Sequence, residues 1–579
     1  ALGHSVGLIP KRFAIKEDPR PGDSVLLIGG ETGRDGIHGA TASSTSMTAQ
    51  TLEKESAAVQ IGHPITERRF MSAIPALREA GCIRSITDLG AGGISCGAGE
   101  MGAETGVALN LDAVPLKDKS LTAWEILLSE SQERMLIAVP PEKLAEAEAM
   151  LDRYEVCHAV IGQFTGSNKL EAVWCGKRVV DLEMSFLWRA CPIDPIPTSE
   201  PQHNLTPLEI SEPQSSEAWS GAIRSVLSHY HCADQSAAGN QFDSTVQGRT
   251  VIGPYGGKNH RMPTGIYVAA PLRDKNYGLI TTVAFNPFYG DVSPEIMAKL
   301  MMIEAVTKAV VAGASFREMV LCDNFYTPPA RPEVAWELTR MVEMIADLSC
   351  DLGIPFISGK DSSSGSFDAG GKPIEAPPTL AVAALGRLRD VKRAVTKEFK
   401  EPGSKLLLVG KVDSAGLGGS VYADCHGQRG DRLLDGYDAA SIRAQWDAIL
   451  KLHSAGGYRS GSGLAEGGVA LRVFEAACGS GLGARLEFDC LESATRASRR
   501  SRIIRRDEFL FGEFIGSALL EVPPTFDAPE FFNSVPHVVI GEVIPDPRLM
   551  LTAGGKTFWE EEVSNLSVAW SRTFREALQ

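Results

Sequence analysis

The sequence predicts a mixed α/β (α+β) fold, built by tandem duplication of one domain around a different one. Two observations carry this. Apolar strand-like runs alternate with helices that have clear stop signals, which indicates mixed architecture. Four short stretches also recur later in the chain, in the same order, each displaced by about 380 residues.

The repeats begin with Pro21-Gly22-Asp23-Ser24, which leads into the apolar run Val25 to Gly29. Its partner is Pro402-Gly403-Ser404-Lys405 before Leu406 to Gly410. Each reads as a turn followed by a buried strand. Leu89-Gly90-Ala91-Gly92-Gly93 then returns as Leu464-Ala465-Glu466-Gly467-Gly468. Glu130 to Pro141 returns as Glu513 to Pro524, and His158 to Gly162 as His537 to Gly541. Domains are therefore expected at 1–200, 201–398 and 399–579, the outer two being copies. The middle one is entered through a Pro-, Ser- and Glu-rich stretch, Pro192 to Glu217, that reads as a linker. It holds a strand-like run, Leu279 to Phe285, and a helix from Pro294 to Ala312 stopped by Gly313. A second helix, Pro332 to Leu352, is ended by Gly353 and Pro355, and a strand follows from Pro355.

Composition narrows the function classes. Lys and Arg total 57 against 72 Asp and Glu, a net charge of −15, which argues against general nucleic-acid binding. Eleven cysteines without a C-x-x-C pair fit neither a zinc site nor a disulfide framework and point to reduced thiols and the cytoplasm. No run approaches the roughly 18 apolar residues of a membrane span. The opening at Ala1 has no signal-peptide shape and reads as the middle of a linker, so a fragment or processed piece is expected.

Six segments are candidates for chemistry. Gly29 to Thr41 is dense in glycine, which lets backbone N–H groups approach an anion, or simply makes a tight turn. Asp88, placed after a strand-like run and before glycines, suits a Mg²⁺ ligand or a helix N-cap; the second copy has Gly463 there. Ser129-Glu130-Ser131-Gln132-Glu133-Arg134 interrupts two apolar runs, whereas its partner, Phe514-Ile515-Gly516, is apolar. That asymmetry is the signature of a duplicated domain with one working site; a polar surface turn is the plainer alternative. Glu304 and Lys308 share a helix face, as an exposed ion pair would. Cys322-Asp323-Asn324-Phe325 and Ser358-Gly359-Lys360-Asp361-Ser362 each follow an apolar run, where α/β proteins place ligand loops, though the latter also reads as a surface turn. His229-Tyr230-His231-Cys232 has donor atoms but sits beside the linker. Arg496 to Arg506 is a basic run that suits a solvated surface or an acidic partner.

The motifs G-E-T-G-R-D-G-I-H-G-A-T, V-Q-I-G-H-P, D-L-G-A-G-G, S-E-S-Q-E-R-M and P-F-I-S-G-K-D-S together resemble those of phosphoribosylformylglycinamidine synthases, in order and over essentially the whole chain. The family belongs to the superfamily of aminoimidazole ribonucleotide synthase. The resemblance implies two ATP-binding-type domains alternating with two companion domains; here 1–200 and 399–579 would be companions and 201–398 the second ATP-binding-type domain. It implies ATP- and Mg²⁺-dependent conversion of formylglycinamide ribonucleotide to its amidine with glutamine-derived ammonia, through a phosphorylated amide, in purine biosynthesis.

By the family pattern, Gln60, Glu130, Ser131, Gln132 and Ser362 would contact the ribonucleotide. Asp323, Gly359 and Lys360 would fall at the nucleotide, and Asp88, Glu304 and Asp361 at magnesium. Lys308 stands where an Asn metal ligand is expected, and an Asp expected near Thr264-Gly265-Ile266 is absent, so an ammonium would replace an ion there. The family's catalytic His lies in an H-N-H-P-type motif of the first ATP-binding-type domain, and no such motif occurs in this chain. No catalytic residue is therefore expected here. The implied partners are that domain, a separate glutaminase and a small bridging subunit. An inactive paralogue serving as a nucleotide-binding or scaffold subunit is the alternative.

Overall fold

The computed structural model describes all residues except 1–4, 38–46, 49–59, 190–191, 203, 369, 500–501 and 579. His38 to Thr41 of the glycine-rich segment and Val59 of V-Q-I-G-H-P lie outside the described residues. The chain divides into two compact units. One comprises Val6–Pro195 and Ser364–Glu375, the other Ala1–Ser5, Ile196–Ser363 and Ala376–Gln579.

In the first unit, the turn at Pro21-Gly22 delivers the chain into the strand Ser24–Gly29, every residue of which is buried. A continuous apolar run is what a strand covered on both faces requires. Leu26 and Ile28 pack with Phe70, Leu77 and Leu151 under the helices Pro64–Glu79 and Leu144–Arg153. Val25 and Leu27 pack on the opposite face with Ile94, Ala98 and Ile126. The strand is central in a seven-stranded sheet of order Ser85–Asp88, Arg134–Val139, Ser24–Gly29, His158–Phe164, Val107–Asn110, Lys169–Trp174 and Lys177–Glu183.

The third domain repeats that order strand for strand: Ser460–Gly463, Ala518–Val522, Lys405–Val409, His537–Ile544, Gly483–Glu487, Arg548–Ala553 and Lys556–Glu562. Even the irregularities recur. The ladder slips between Val25 and Leu26 in one copy and between Leu406 and Leu407 in the other. A second slip falls between Ala172 and Val173, and between Leu551 and Thr552.

The middle domain has a six-stranded sheet of order Phe356–Ser363, Met319–Thr327, Thr379–Leu388, Gly278–Ala284, Tyr267–Ala269 and Thr250–Ile252. The two predicted helices form at Pro294–Val311 and Pro332–Leu352, and Gly353 closes the second in a left-handed C-cap at φ 67°. The first is buried nearly all round. Its Met301, Ile303 and Val306 share one core with Leu407, Val409 and Trp446 of the third domain. That shared core joins the middle helix to the sheet of the second copy.

Candidate functional site

Antiparallel pairing brings three segment ends of the first unit together. Gly29 lies opposite Arg134, and Asp88 opposite Met135. The glycine-rich stretch, Asp88 and the Ser129–Arg134 turn thus gather at one end of the sheet, as the alternative of separate surface turns would not.

The turn is held from within. Arg134 is 3% exposed. Its guanidinium donates to the Ser131 carbonyl at 2.8 Å, the Ser129 carbonyl at 2.6 Å and Thr32 Oγ1 at 2.8 Å. Burial pulls its pKa down to about 10, with Asp35 opposing. Ser131 donates to the Asp35 carboxylate and accepts the Gly33 N–H at 2.9 Å. Lys117 reaches the same Asp35 oxygen at 2.9 Å. Burial raises the Asp35 pKa, but the bonds from Ser131 and Lys117 outweigh it and leave a net lowering. The Asp35 carbonyl accepts the Glu130 N–H at 2.8 Å. Gln132 spends an amide hydrogen on the Glu130 carbonyl at 3.0 Å, and Gln60 donates to Glu130 Oε2 at 2.5 Å.

Four predicted substrate contacts, Gln60, Glu130, Ser131 and Gln132, are therefore neighbours. They are not equivalent. The Ser131 hydroxyl is fully buried and bonded on both sides, to Asp35 and to the Gly33 N–H, so it anchors the turn. Thr32, Asp35 and Arg134 lie in the candidate segments without a role of their own from sequence, and Lys117 lies outside them. The available signal was a cation set immediately before an apolar strand, where only an internal partner makes its burial tolerable.

Asp88 is exposed at its strand end. It does not cap the following helix, Gly93–Met101, whose N-cap is Gly92 in the left-handed region without a side-chain bond. Among the described residues no hydrogen bond or ion pair holds its carboxylate. A free, accessible carboxylate fits a Mg²⁺ donor, since that ion retains waters and takes one or two carboxylates.

In the second copy the same sheet end is closed. Phe514 and Ile515 are buried to 1% exposure or less. Glu513 is 1% exposed, and its counterpart Glu130 is also buried, at 6%. Glu513 accepts N–H bonds from Val421 and Gly467, both at 2.9 Å, and the Tyr289 hydroxyl at 2.5 Å. Burial pushes its pKa up to about 8.

In the middle domain the expected ligand loops are strand. Cys322 to Phe325 lie within Met319–Thr327, and Ser358 to Ser362 within Phe356–Ser363, in parallel register. Asp323 pairs with Gly359, Asn324 with Lys360 and Tyr326 with Ser362. A Cβ on Gly359 would lie 2.3 Å from Asp323 Oδ1, so the carboxylate occupies the space a side chain would need. Burial raises the Asp323 pKa. Ser362 donates to Asn324 Oδ1 at 3.3 Å, Lys360 Nζ turns back to the Asp361 carbonyl at 2.6 Å, and Asp361 accepts from Ser363.

Glu304, expected at magnesium with Asp361, lies on the helix Pro294–Val311 beside Lys308. It is 2% exposed, and Lys308 Nζ stands 2.5 Å from Oε1. Burial lifts its pKa to about 7, with Lys308, Glu466 and Arg472 as the charges around it. The Lys308 ammonium and the Arg472 guanidinium already supply positive charge to the Glu304 and Glu466 carboxylates, as a divalent ion would. The pair is buried, not the exposed one its spacing suggested. Among the described residues no three His, Cys, Asp or Glu side chains converge as a metal set. His229 instead pairs with Asp424 at 2.8 Å, and His231 stacks on Phe288. The basic run meets acidic partners in its own chain: Arg502 bonds Glu508, Arg505 bonds Asp507 and Arg506 bonds Glu212.

The described cysteines are free, and no described helix is long and apolar enough to cross a membrane. The family model "AIR synthase related protein, C-terminal domain" matches residues 20–175 and 401–554, one match on each seven-stranded sheet. Phosphoribosylformylglycinamidine synthase subunit PurL of Ignicoccus hospitalis is 31% identical over 557 residues, 95% of this chain and 74% of that one. The same subunit from Methanothermobacter marburgensis is 32% identical, covering 90% and 70%. Among solved structures, Thermotoga maritima PurL complexed with FGAR aligns at a TM-score of 0.62 and 21% identity, over 91% of this chain and 73% of that one. "Structure of PurLQS from Thermotoga maritima" aligns at 0.61 and 21%, over 91% and 72%. At that identity the structures speak to the fold. The relatives speak to descent: with the family model matched twice and 31–32% identity over most of both chains, this chain belongs to the PurL family of phosphoribosylformylglycinamidine synthase subunits.

Proposed function

We propose that this chain binds formylglycinamide ribonucleotide at the polar end of its first sheet and takes part in the ATP- and Mg²⁺-dependent conversion of that amide to the amidine. The observation that carries the reading is the contrast between copies: Glu130, Gln132 and Gln60 stand ordered at one sheet end, while Phe514 and Ile515 fill the other. Glu130 and the amide oxygens offer acceptors for substrate hydroxyl and N–H groups, and Asp88 beside them offers a hard oxygen to magnesium. Mg²⁺, when bound, screens phosphate charge and stabilises the leaving group. The protein's part is to hold the ribonucleotide in a preset geometry. Asp323, Gly359 and Lys360 on paired strands are the proposed nucleotide contacts, with Ser362 at the substrate.

The proposal includes partners. Ammonia would come from a separate glutaminase through a small bridging subunit, and the catalytic His from a first ATP-binding-type domain. In the strand Gly278–Ala284, Thr282 donates to the Ala305 carbonyl and Val283 is exposed on the other face, which is the face proposed for that domain. The rival reading, a nucleotide-binding or scaffold subunit without turnover, draws on the Lys308–Glu304 pair in the middle domain. Calorimetric titration with formylglycinamide ribonucleotide, followed by an ammonia-dependent assay with ATP after joining the first domain, decides between them. Substrate binding and turnover are expected; binding without turnover in the joined protein selects the scaffold reading, and no binding removes the proposal.

A further inference from the structure

The Ser129–Gln132 turn carries the side chains proposed to meet the ribonucleotide, yet almost none of its shape comes from regular secondary structure. The helix Ala123–Leu128 ends just before it, and the strand Arg134–Val139 begins just after. Glu133, between them, sits in the left-handed region at φ 54°. A bare turn of this kind would sample many conformations, and each would aim Glu130 differently.

One side chain removes that freedom. Arg134 Nε and Nη2 grip the carbonyls of Ser131 and Ser129, the residues on either side of Glu130. Nη1 ties the same guanidinium to Thr32, in the glycine-rich stretch. The remaining polar groups close around this clamp. The Glu130 N–H is taken by the Asp35 carbonyl, its own carbonyl by Gln132, and Ser131 by Asp35 and Gly33. A planar fork with fixed donor directions can hold two carbonyls and a hydroxyl at once; a lysine ammonium cannot reproduce that plane.

We propose that Arg134 is the positioning residue of this site: it touches no ligand, and it sets the Glu130 carboxylate and Gln60 in the geometry that receives the ribonucleotide. Ser131 serves the same end as an anchor to Asp35 and not as a ligand contact. The inference rests on the proposed function of this sheet end.

The test is calorimetric titration of formylglycinamide ribonucleotide into the full chain and into Arg134→Lys, with thermal unfolding measured on the same samples. Arg134→Lys keeps the buried charge and loses the fork, so a fall in affinity of tenfold or more is expected, with the fraction folded at the titration temperature unchanged. Thr32→Val, which removes one of the three bonds and preserves volume, is expected to lose two- to fivefold and covers the case in which Arg134→Lys fails to fold. Wild-type affinity in a folded Arg134→Lys or Thr32→Val chain overturns the proposal. So does a loss that only tracks the unfolded fraction. Absence of binding by the wild-type chain instead overturns the proposed function and the positioning role with it.

Discussion

Glu513→Gln is expected to stabilise the protein at neutral pH, and the size follows from the site. The Glu513 carboxyl is fully enclosed, and burial raises its pKa from the ordinary 4.5 to about 8. Between those values the folded state holds a proton that the unfolded chain has lost. A carboxyl pKa raised on folding therefore weakens stability progressively as pH climbs from 4.5 towards 8. At pH 7 the gap spans 2.5 units at 1.36 kcal/mol each, so the group costs about 3 kcal/mol. Glutamine does not titrate. Its carbonyl can still accept from Val421 and Gly467, and its amide can donate to the Tyr289 hydroxyl. The variant should match wild type near pH 4.5 and exceed it by about 3 kcal/mol at pH 7. Urea unfolding followed by the fluorescence of Trp219, Trp446, Trp559 and Trp570, all buried in the same unit, reads this directly. A variant less stable at pH 7, or a difference that ignores pH, would refute the reasoning and mean that the carboxylate is ionised in place.

Asp88→Asn should leave stability within about 0.5 kcal/mol, as for an exposed residue outside any cap. The same substitution should strongly reduce turnover in the complete enzyme; unchanged turnover would return Asp88 to the surface. Gly93→Ala should destabilise the first unit by about 2–4 kcal/mol in thermal unfolding. Gly93 has φ 52°, and an added Cβ would lie 2.1 Å from the Ser129 carbonyl oxygen, on the turn that carries Glu130. A folded, fully stable Gly93→Ala chain would show that the turn yields.

Much of the architecture was legible because it was written twice. Val25 to Gly29 and Leu406 to Gly410 are apolar without interruption, and uninterrupted runs mean strands covered on both faces. Helix ends were legible at Pro294, Pro332 and Gly353, where backbone chemistry permits little else. The polar site was legible as an asymmetry: Ser129 to Arg134 against Phe514 and Ile515. What escaped was whatever depends on contacts distant in sequence. Arg134 looks like any surface cation until its carbonyl partners close on it, and Glu304 looks like an exposed helix pair until Arg472 arrives from another domain. Ser358 to Ser362 looks like a turn by composition, yet pairing with Met319–Thr327 makes it strand.

The matched sheets also make the molecule its own reference. His158 and His537 occupy equivalent strand starts, and each ring Nδ1 meets a valine carbonyl two residues back, at 3.0 Å from Val156 and 2.9 Å from Val535. This bond and the paired slips, present in both copies, belong to the scaffold the copies share. A single chain thus supplies the comparison that normally takes two homologues, and substitutions introduced at paired positions can tell loss of scaffold from loss of chemistry within one polypeptide.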